Sequence, residues 1–184
     1  MIYCRIKLSK TNYQTYDYAY IEDKPNLKKI QDIYKKYCDY KKFKSVQPLF
    51  ANDIKVHKVM VYYDEGKFVA FSLLYELDKH NIEALQFAWD YENPKLGMGT
   101  YATLYEIKYC MNWNYQFYYF SYSYENSSAY KSKYDGFEFW TGRNWCKDKD
   151  VYNQICKNDS EIKNLADLND NQQKYFDLVF GAHT

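Results

Sequence analysis

The residue types that suggest binding chemistry are concentrated between residues 89 and 107, where an apolar segment runs through a glycine loop into an amphipathic helix. A strand, a Gly-x-Gly turn and a helix start together bring backbone N–H groups and the positive end of a helix dipole to one place. The sequence therefore predicts a site for a phosphate or another anionic group, although the same glycine pattern also suits a simple tight turn. The residues of this predicted anion-binding loop are Gly97, Met98, Gly99, Thr100 and Tyr101.

The composition is that of a globular chain with an excess of tyrosine. Of 184 residues, 47% are hydrophobic and 27% are charged, and 24 Tyr and 11 Phe contrast with six Gly and three Pro. This length suits one domain with a sizeable core, which we expect to span residues 1–184. Since an A/T-rich coding sequence favours Lys, Asn and Tyr, mutational bias and selection for stacking surfaces both remain open as reasons for the tyrosines.

The charge is small overall but unevenly placed. The net charge of +1 argues against a general nucleic-acid coat, yet residues 26–46 carry seven lysines against Asp32 and Asp39. Such a helix face either binds a polyanion or is simply solvated. The lysines of this basic helix face are Lys28, Lys29, Lys35, Lys36, Lys41, Lys42 and Lys44.

The cysteines and histidines give no sign of a metal site. Five cysteines are widely spaced without a Cys-x-x-Cys pair, and the three histidines are isolated from one another. This pattern predicts free thiols in a reducing cytoplasm and no metal ligand cluster. Since no secretory signal and no apolar run of membrane-spanning length is visible, we expect a cytoplasmic protein that does not bind membranes. The oligomeric state stays open.

Hydrophobic periodicity predicts helices and mostly antiparallel strands. A helix is expected after Pro25, a second after Gly99, and a third over residues 168–180. The turn Asp64-Glu65-Gly66 joins two strands of a predicted three-stranded meander. Strands are predicted at 2–8, 15–21, 55–63, 67–77, 81–91, 116–124 and 136–141, with a short helix or turn at 129–134.

Each of the three predicted helices has an apolar stripe that marks its buried face. For the first helix the stripe is Leu27, Ile30, Ile33, Tyr34, Tyr37 and Cys38. For the second it is Thr100, Leu104, Ile107 and Met111, and for the terminal helix it is Tyr175, Phe176, Val179 and Phe180.

The order of helix, three antiparallel strands, glycine loop, helix, strand and short helix is that of the Gcn5-related (GNAT) acyltransferases. We therefore predict an α/β GNAT-like acyl-CoA N-acyltransferase fold, with a mixed, mostly antiparallel central sheet flanked by helices. In that fold the fourth strand and the glycine loop hold an activated acyl donor.

Residues 62–142 resemble the C-terminal half of the arginyl-tRNA–protein transferases. Leu96 to Tyr101, followed by Leu104, Glu106 and Ile107, is similar to the family's Leu-Gly-Thr-Tyr-x-x-Leu-x-Glu-Ile run. In the family this run follows a loop with an aromatic residue and an aspartate, and Trp89-Asp90-Tyr91 is similar to that loop. Further matches are the tyrosine-rich segment 117–122 and the Tyr130-Lys131-x-x-Tyr134 motif followed by Glu138.

The resemblance implies transfer of an aminoacyl group from a charged tRNA to an amine, such as a protein N-terminus, by direct ester aminolysis. This reaction needs oriented reactants, a neutral amine and stabilisation of an oxyanion, without a covalent nucleophile. It also implies tRNA as the partner of the basic helix face and aminoacyl-tRNA as the donor, with no other cofactor.

The resemblance further implies roles for individual residues. The glycine loop would hold the phosphate or ribose of the terminal adenosine, and Lys131 would meet a phosphate. Glu138 or Glu125 is the implied catalytic carboxylate that positions or deprotonates the amine, and Glu138 is favoured because it falls in a matched motif. The implied substrate pocket consists of Trp89, Asp90, Tyr122, Tyr124, Tyr130, Lys131 and Tyr134.

Several of these residues also have a purely structural interpretation. Glu106 fits a solvated helix acid or a lysine partner as well as a family motif. Tyr130 and Tyr134, four residues apart, fit a hydrophobic pair that closes one end of the sheet. Trp89 and Asp90 fit a role in holding their loop without contacting substrate.

The chain departs from the family pattern in three places. It lacks the N-terminal cysteine cluster, and residues 125–129 replace a Cys-Pro-Lys-Met-Arg segment. Asp135-Gly136 replaces an Arg-Pro pair, and the segments outside 62–142 are expected to differ from the family. The donor amino acid and the acceptor therefore stay open.

Two other function classes remain open. The first is an acyl-CoA-dependent N-acetyltransferase. The pyrophosphate-binding loop of such enzymes usually has Gln or Arg three residues before the first glycine, and Pro94 at that position counts against this class. The second is a non-catalytic interaction protein that keeps the fold, encoded by a phage or another A/T-rich mobile genome.

Overall fold

The computed structural model describes residues 2–11, 13, 19–22, 24–42, 57–92, 97–123 and 126–181. The chain divides into two compact units, Asn12–Tyr118 and Met1–Thr11 with Tyr119–Thr184. Each unit combines helices with antiparallel strand pairs, as the predicted α/β class requires. No helix within the described residues is long and apolar enough to cross a membrane.

The unit of residues 12–118 contains an antiparallel sheet in the order β2-β3-β4-β5. The predicted meander is confirmed, because the hairpin from Asp64 to Lys67 uses positive φ angles at Glu65 and Gly66, as a two-residue turn requires. Its strands are β2 (Ala19–Ile21), β3 (His57–Asp64), β4 (Lys67–Asp78) and β5 (Asn81–Trp89), and its helices are α1 (Leu27–Lys41) and α2 (Met98–Asn112).

Helix α1 packs its apolar stripe on this sheet. The Asn26 side chain caps the helix start by accepting a hydrogen bond from the Lys29 N–H at 3.1 Å. Ile30 and Ile33 enter the core formed by Val59, Val61, Phe71, Leu73 and Ala88. Leu27 is 43% exposed, so its predicted burial is wrong, because the core contacts begin one turn further along the helix.

Helix α2 buries a different face from the one predicted. Thr100 is exposed, and Leu104 and Met111 are only partly buried, so of the predicted stripe only Ile107 is fully buried. The prediction failed because this buried face includes polar side chains whose partners are distant in sequence. The buried residues of α2 are Met98, Ala102, Thr103, Glu106, Ile107 and Cys110.

The other unit is built on strands in the order β6-β1-β7-β8. β1 (Ile2–Lys7) and β7 (Phe137–Trp140) are antiparallel, as are β7 and β8 (Trp145–Cys146). β6 (Phe117–Ser123) enters this unit at Tyr119, and 3-10 helices occupy Leu8–Lys10 and Asn126–Lys133. Two α-helices follow, α3 (Lys149–Glu161) and α4 (Leu165–Phe180).

Strand β8 and helix α3 were not predicted. Their segment is polar overall, but α3 buries Tyr152, Ile155 and Cys156, and the Tyr152 ring lies 4.7 Å from that of Phe137. Asp148 caps α3 with its side chain.

Helix α4 also differs from its prediction. It starts three residues earlier than predicted, because Asn164 provides a side-chain cap. None of its residues is buried, and Phe176 is 55% exposed, so the predicted apolar face is only partly covered.

Candidate functional site

The described part of the glycine loop begins at Gly97, the residue that precedes α2. Gly97 has the left-handed angles φ 59° and ψ 28°, and its carbonyl accepts the N–H groups of Thr100 and Tyr101 at 3.0 and 3.3 Å. Among the described residues, no side chain caps this helix start. A Cβ atom added at Gly99 would meet none of their atoms within 4 Å, so these residues leave room for an anion at the positive end of the helix.

Two alanine substitutions separate the structural role of this loop from binding. Gly97→Ala is expected to lower the free energy of unfolding by about 1 kcal/mol, because the left-handed region strains a Cβ-bearing residue. Gly99→Ala is expected to leave stability unchanged or raise it by about 0.5–1 kcal/mol, since alanine favours a helix. It should nevertheless weaken donor binding by filling the open space. Urea titration of both variants measures the free energy of unfolding, and a binding titration measures their affinity for aminoacyl-tRNA, the expected donor. Unchanged affinity in Gly99→Ala would exclude binding of the donor phosphate over Gly99.

A buried carboxyl group lies on the inner face of α2, at Glu106. Its side chain is 3% exposed and accepts hydrogen bonds from the hydroxyls of Ser72 and Tyr118, with the Tyr62 hydroxyl at 3.5 Å. Burial raises the pKa of Glu106, and the hydrogen bonds from Ser72, Tyr118 and Tyr62 partly oppose that shift. The interpretation of Glu106 as a solvated acid or a lysine partner is therefore wrong.

This hydroxyl network fixes the first turns of α2 against the sheet. Tyr62 of β3 and Ser72 of β4 share a hydrogen bond of 2.9 Å, and the Tyr62 hydroxyl also donates to the Ala102 carbonyl at 3.3 Å. Burial, followed by the nearby Glu106 charge, raises the pKa of Tyr62. Because Ala102 lies one turn after the glycine loop, the network positions that loop. The signal in the sequence was the helical spacing of Glu106 with Ala102, Thr103 and Cys110.

Trp89 and Asp90 hold the loop that follows β5. Trp89 is 5% exposed, and its ring centroid lies 4.0 Å from that of Tyr91. The Asp90 N–H donates to the Val69 carbonyl at 2.8 Å, and its carboxylate accepts from Lys36 Nζ at 2.9 Å. These contacts fit the interpretation that the pair supports the loop, and their predicted contact with substrate stays a prediction. Lys36 of the basic helix face is engaged by Asp90 and Glu92, and these hydrogen bonds raise its pKa.

In the other unit, Glu138 is held by Arg5. Arg5 Nε and Nη2 donate to Glu138 Oε2 at 2.9 and 2.8 Å, and the Arg5 guanidinium lies 3.8 Å from the centroid of the Trp145 ring. Arg5 Nη1 also donates to the Tyr119 hydroxyl at 3.3 Å. The remaining oxygen, Oε1, lies 4.0 Å from Lys147 Nζ. Glu138 is 5% exposed, so this arrangement orients a buried carboxylate whose Oε1 lies outside the Arg5 pair.

Lys131 is buried, and its expected contact with a phosphate stays a prediction. It is 5% exposed, and Nζ lies 5.2 Å from the centroid of the Phe120 ring. Burial lowers the pKa of Lys131 to about 8, while the nearby thiols Cys4 and Cys156 act in the opposite direction. Burial raises the pKa of the Cys4 thiol to about 11. Lys131 therefore changes its protonation close to neutral pH.

Tyr130 and Tyr134 differ in exposure. Tyr130 is 44% exposed, whereas Tyr134 is 6% exposed and its ring lies 5.8 Å from Phe120. The two tyrosine rings meet edge to face at 6.5 Å. Tyr134 therefore belongs to the core of its unit, and Tyr130 keeps an accessible ring.

The structure groups the predicted site residues by unit. Trp89, Asp90 and Gly97–Tyr101 lie in the unit of residues 12–118, and Tyr130, Lys131, Tyr134 and Glu138 lie in the other. Tyr124, Glu125 and Lys44 fall outside the described residues, as does the Tyr122 side chain. Among the described residues, no group of three or more His, Cys, Asp or Glu side chains is placed to hold a metal ion.

Comparison with known families identifies the chain. Residues 10–141 match the family described as arginine-tRNA-protein transferase, C terminus. The chain belongs to this arginine-tRNA-protein transferase family. The match includes the glycine loop, Glu106 and Glu138, and it extends further toward the N-terminus than the 62–142 segment recognised from motifs. Helix α1 with its lysines therefore lies within the family region.

Solved structures share the fold of this transferase-family chain at low sequence identity. L-PGS from Bacillus licheniformis aligns with a TM-score of 0.55 and 14% identity over 66% of this chain and 46% of its own. The C-terminal domain (DUF2156) of a protein described as a lysylphosphatidylglycerol synthetase, from Agrobacterium fabrum, aligns with a TM-score of 0.52 and 12% identity over 64% and 45%. The chain thus spans less than half the length of either protein. The predicted α/β fold with antiparallel strands flanked by helices is confirmed, and no curated protein matches significantly.

Proposed function

We propose that this protein transfers an aminoacyl group from a charged tRNA to an amine acceptor, such as a protein N-terminus. The observation that carries this proposal is the family match over residues 10–141, which contains both the glycine loop and Glu138. The loop geometry supports it, because an uncapped helix start with open space at Gly99 suits a nucleotide phosphate.

The proposed reaction is direct ester aminolysis. The acceptor amine attacks the aminoacyl carbonyl, a C–N bond forms, and the ester C–O bond to the tRNA ribose breaks. The proton lost by the amine ends on the leaving ribose oxygen. An α-amine has an ordinary pKa of about 7.7–8.0, so a large neutral fraction is available near pH 8 without a strong base.

The roles proposed for the protein groups come from the family motifs, and each is described within its own unit. The backbone N–H groups at the start of α2 would hold the terminal phosphate of the donor. Glu138 would orient the acceptor amine through Oε1, because Arg5 fixes the carboxylate through Oε2. Tyr130 offers an exposed ring for a base. Lys131 is 5% exposed, and the phosphate contact that the resemblance implies for it stays a prediction.

Binding of tRNA tests the proposal through its salt dependence. If the lysines of α1 contact about four phosphates, tRNA affinity should fall on the order of 100-fold between 50 and 200 mM salt. A Lys28→Gln/Lys29→Gln/Lys35→Gln variant should bind more weakly and with a smaller salt slope. The matched control is Lys157→Gln/Lys163→Gln/Lys174→Gln, which removes three exposed lysines from the other unit and should leave binding unchanged.

The same titration distinguishes the other function classes. Aminoacylated tRNA should bind more tightly than uncharged tRNA, and acetyl-CoA should not displace it. Displacement by acetyl-CoA would favour an acyl-CoA-dependent enzyme. Affinity that is indifferent to salt and to aminoacylation would contradict the proposal and favour an interaction protein.

A further inference from the structure

Three aromatic rings form a continuous stack beside the C-terminal end of α1. The rings of Trp89 and Tyr91 lie 4.0 Å apart and are tilted by 38°. The rings of Tyr91 and Tyr40 also lie 4.0 Å apart and are nearly parallel, at 7°. Trp89 is 5% exposed and Tyr40 is 57% exposed, so this aromatic stack leads from the core to the surface.

The stack is held rigidly by the loop that carries it. Trp89 ends β5, and Asp90 is fixed by the Val69 carbonyl and by Lys36. The Glu92 N–H donates to Asp90 Oδ1 at 3.2 Å, which closes the turn around Tyr91. A preorganised ring loses little conformational entropy when another flat group stacks on it.

The charge around the stack favours an anionic partner. Lys41 Nζ lies 5.5 Å from the Tyr91 ring centroid, and Lys42 is exposed at the end of the helix. The nearby acids Asp90 and Glu92 are occupied by Lys36 and Lys67, and the contacts from Lys67 and Lys36 lower the pKa of Glu92 to about 2. Asp39 is exposed one residue before Tyr40 and reduces this positive charge without cancelling it.

We propose that the Trp89–Tyr91–Tyr40 stack is an RNA-binding platform on which an unpaired base stacks against Tyr40. Lys41 and Lys42 contact the phosphates on either side of that base. Every base has a π-face, so a stacked ring with neighbouring lysines is the chemistry by which proteins bind single-stranded nucleic acid. This inference rests on the proposed function, because it takes tRNA as the RNA that binds. It adds that an unpaired segment of the tRNA binds to the surface around Tyr40.

The experiment compares binding of a labelled single-stranded RNA dodecamer with that of a blunt RNA duplex of equal charge. Tyr40→Ala should weaken single-strand binding about 5- to 150-fold, as expected for the loss of one stacked base, and should leave duplex binding unchanged. Tyr40→Phe keeps the ring and should bind within about twofold of the unaltered protein. Because Tyr40 is exposed, the variants should fold normally.

Trp113→Ala is the matched control, since Trp113 is 63% exposed and has Lys58 Nζ 5.9 Å from its ring but lies outside the stack. It should leave single-strand binding unchanged. The proposal is overturned if Tyr40→Ala binds like the unaltered protein, if Trp113→Ala is equally weakened, or if the protein binds no RNA.

Aminoacyl transfer is measured in parallel on the unaltered protein. Transfer together with an unaffected Tyr40→Ala overturns the platform and leaves the proposed function standing. Loss of binding in Tyr40→Ala without any transfer supports the platform and counts against the proposed function.

Discussion

Replacing Glu106 by alanine is expected to lower the free energy of unfolding by about 3–5 kcal/mol, because it removes the carboxyl acceptor of two buried hydroxyls. These hydroxyls belong to Ser72 and Tyr118, which lie on different strands, whereas the Tyr62 hydroxyl keeps the Ala102 carbonyl as an acceptor. When one member of such a network is removed, each buried group that bonded to it stays desolvated without a hydrogen bond, and this lowers the free energy of unfolding. Urea unfolding at pH 7 measures the effect. Glu161→Ala, at an exposed helix acid, is the control and should change stability by less than about 0.5 kcal/mol.

The pH dependence of stability gives a second readout of Glu106. Since burial raises its pKa in the folded protein, the folded state binds this proton more tightly than the unfolded state. The free energy of unfolding should therefore fall as pH rises from the ordinary glutamate range through the folded pKa. Glu106→Gln cannot titrate and should lack this component. An alanine variant that loses less than about 1 kcal/mol would show that the network does not hold α2 in place.

Replacing Lys131 by methionine is expected to raise the free energy of unfolding at pH 7 by about 2–3 kcal/mol, because burial lowers the lysine pKa from 10.5 to about 8. Below pH 8 the folded protein carries a charge that would be better solvated in the unfolded chain. The unaltered protein should therefore gain stability as pH rises from about 8 to 10.5, and Lys131→Met should not. The difference between the two should vanish above that window.

The same variant should also lose aminoacyl transfer if Lys131 contacts a phosphate of the donor, as the resemblance implies. A gain in stability with a loss of activity is the pattern expected of a residue kept for function. Lys133→Met removes an exposed lysine from the same 3-10 helix and should change neither property. If the unaltered protein gains no stability between about pH 8 and 10.5, the lowered pKa of the buried Lys131 is contradicted. Full activity in Lys131→Met would show that Lys131 does not belong to the site.

Features set by local sequence were predicted well. The Asp64-Glu65-Gly66 turn defined its hairpin, and the glycine loop indicated the start of α2, which begins at Met98, two residues before the predicted start after Gly99. Ile30 and Ile33 showed the buried face of α1 because that face is wholly apolar. In each case the deciding residues are neighbours within one or two turns of chain.

Features set by distant partners could not be predicted. Glu106 shares a helix face with Ala102, Thr103 and Cys110, but its partner Ser72 lies 34 residues away, so the spacing alone could not show that the carboxyl is buried and hydrogen-bonded. Arg5 and Glu138 are 133 residues apart, and nothing local marks either as half of a pair. Helix α3 was hidden because its apolar stripe is short and set in a polar segment.

The measurement that tests the central claim most directly is transfer of a labelled amino acid from bulk aminoacyl-tRNA to a peptide with a free N-terminus. The account predicts label in an amide bond to the peptide α-amine. No label should reach a matched N-acetylated peptide, and transfer should be reduced in Glu138→Gln, whose folding is checked in parallel. Peptide that stays unlabelled with every aminoacyl-tRNA, or that is acylated instead from acetyl-CoA, would contradict it.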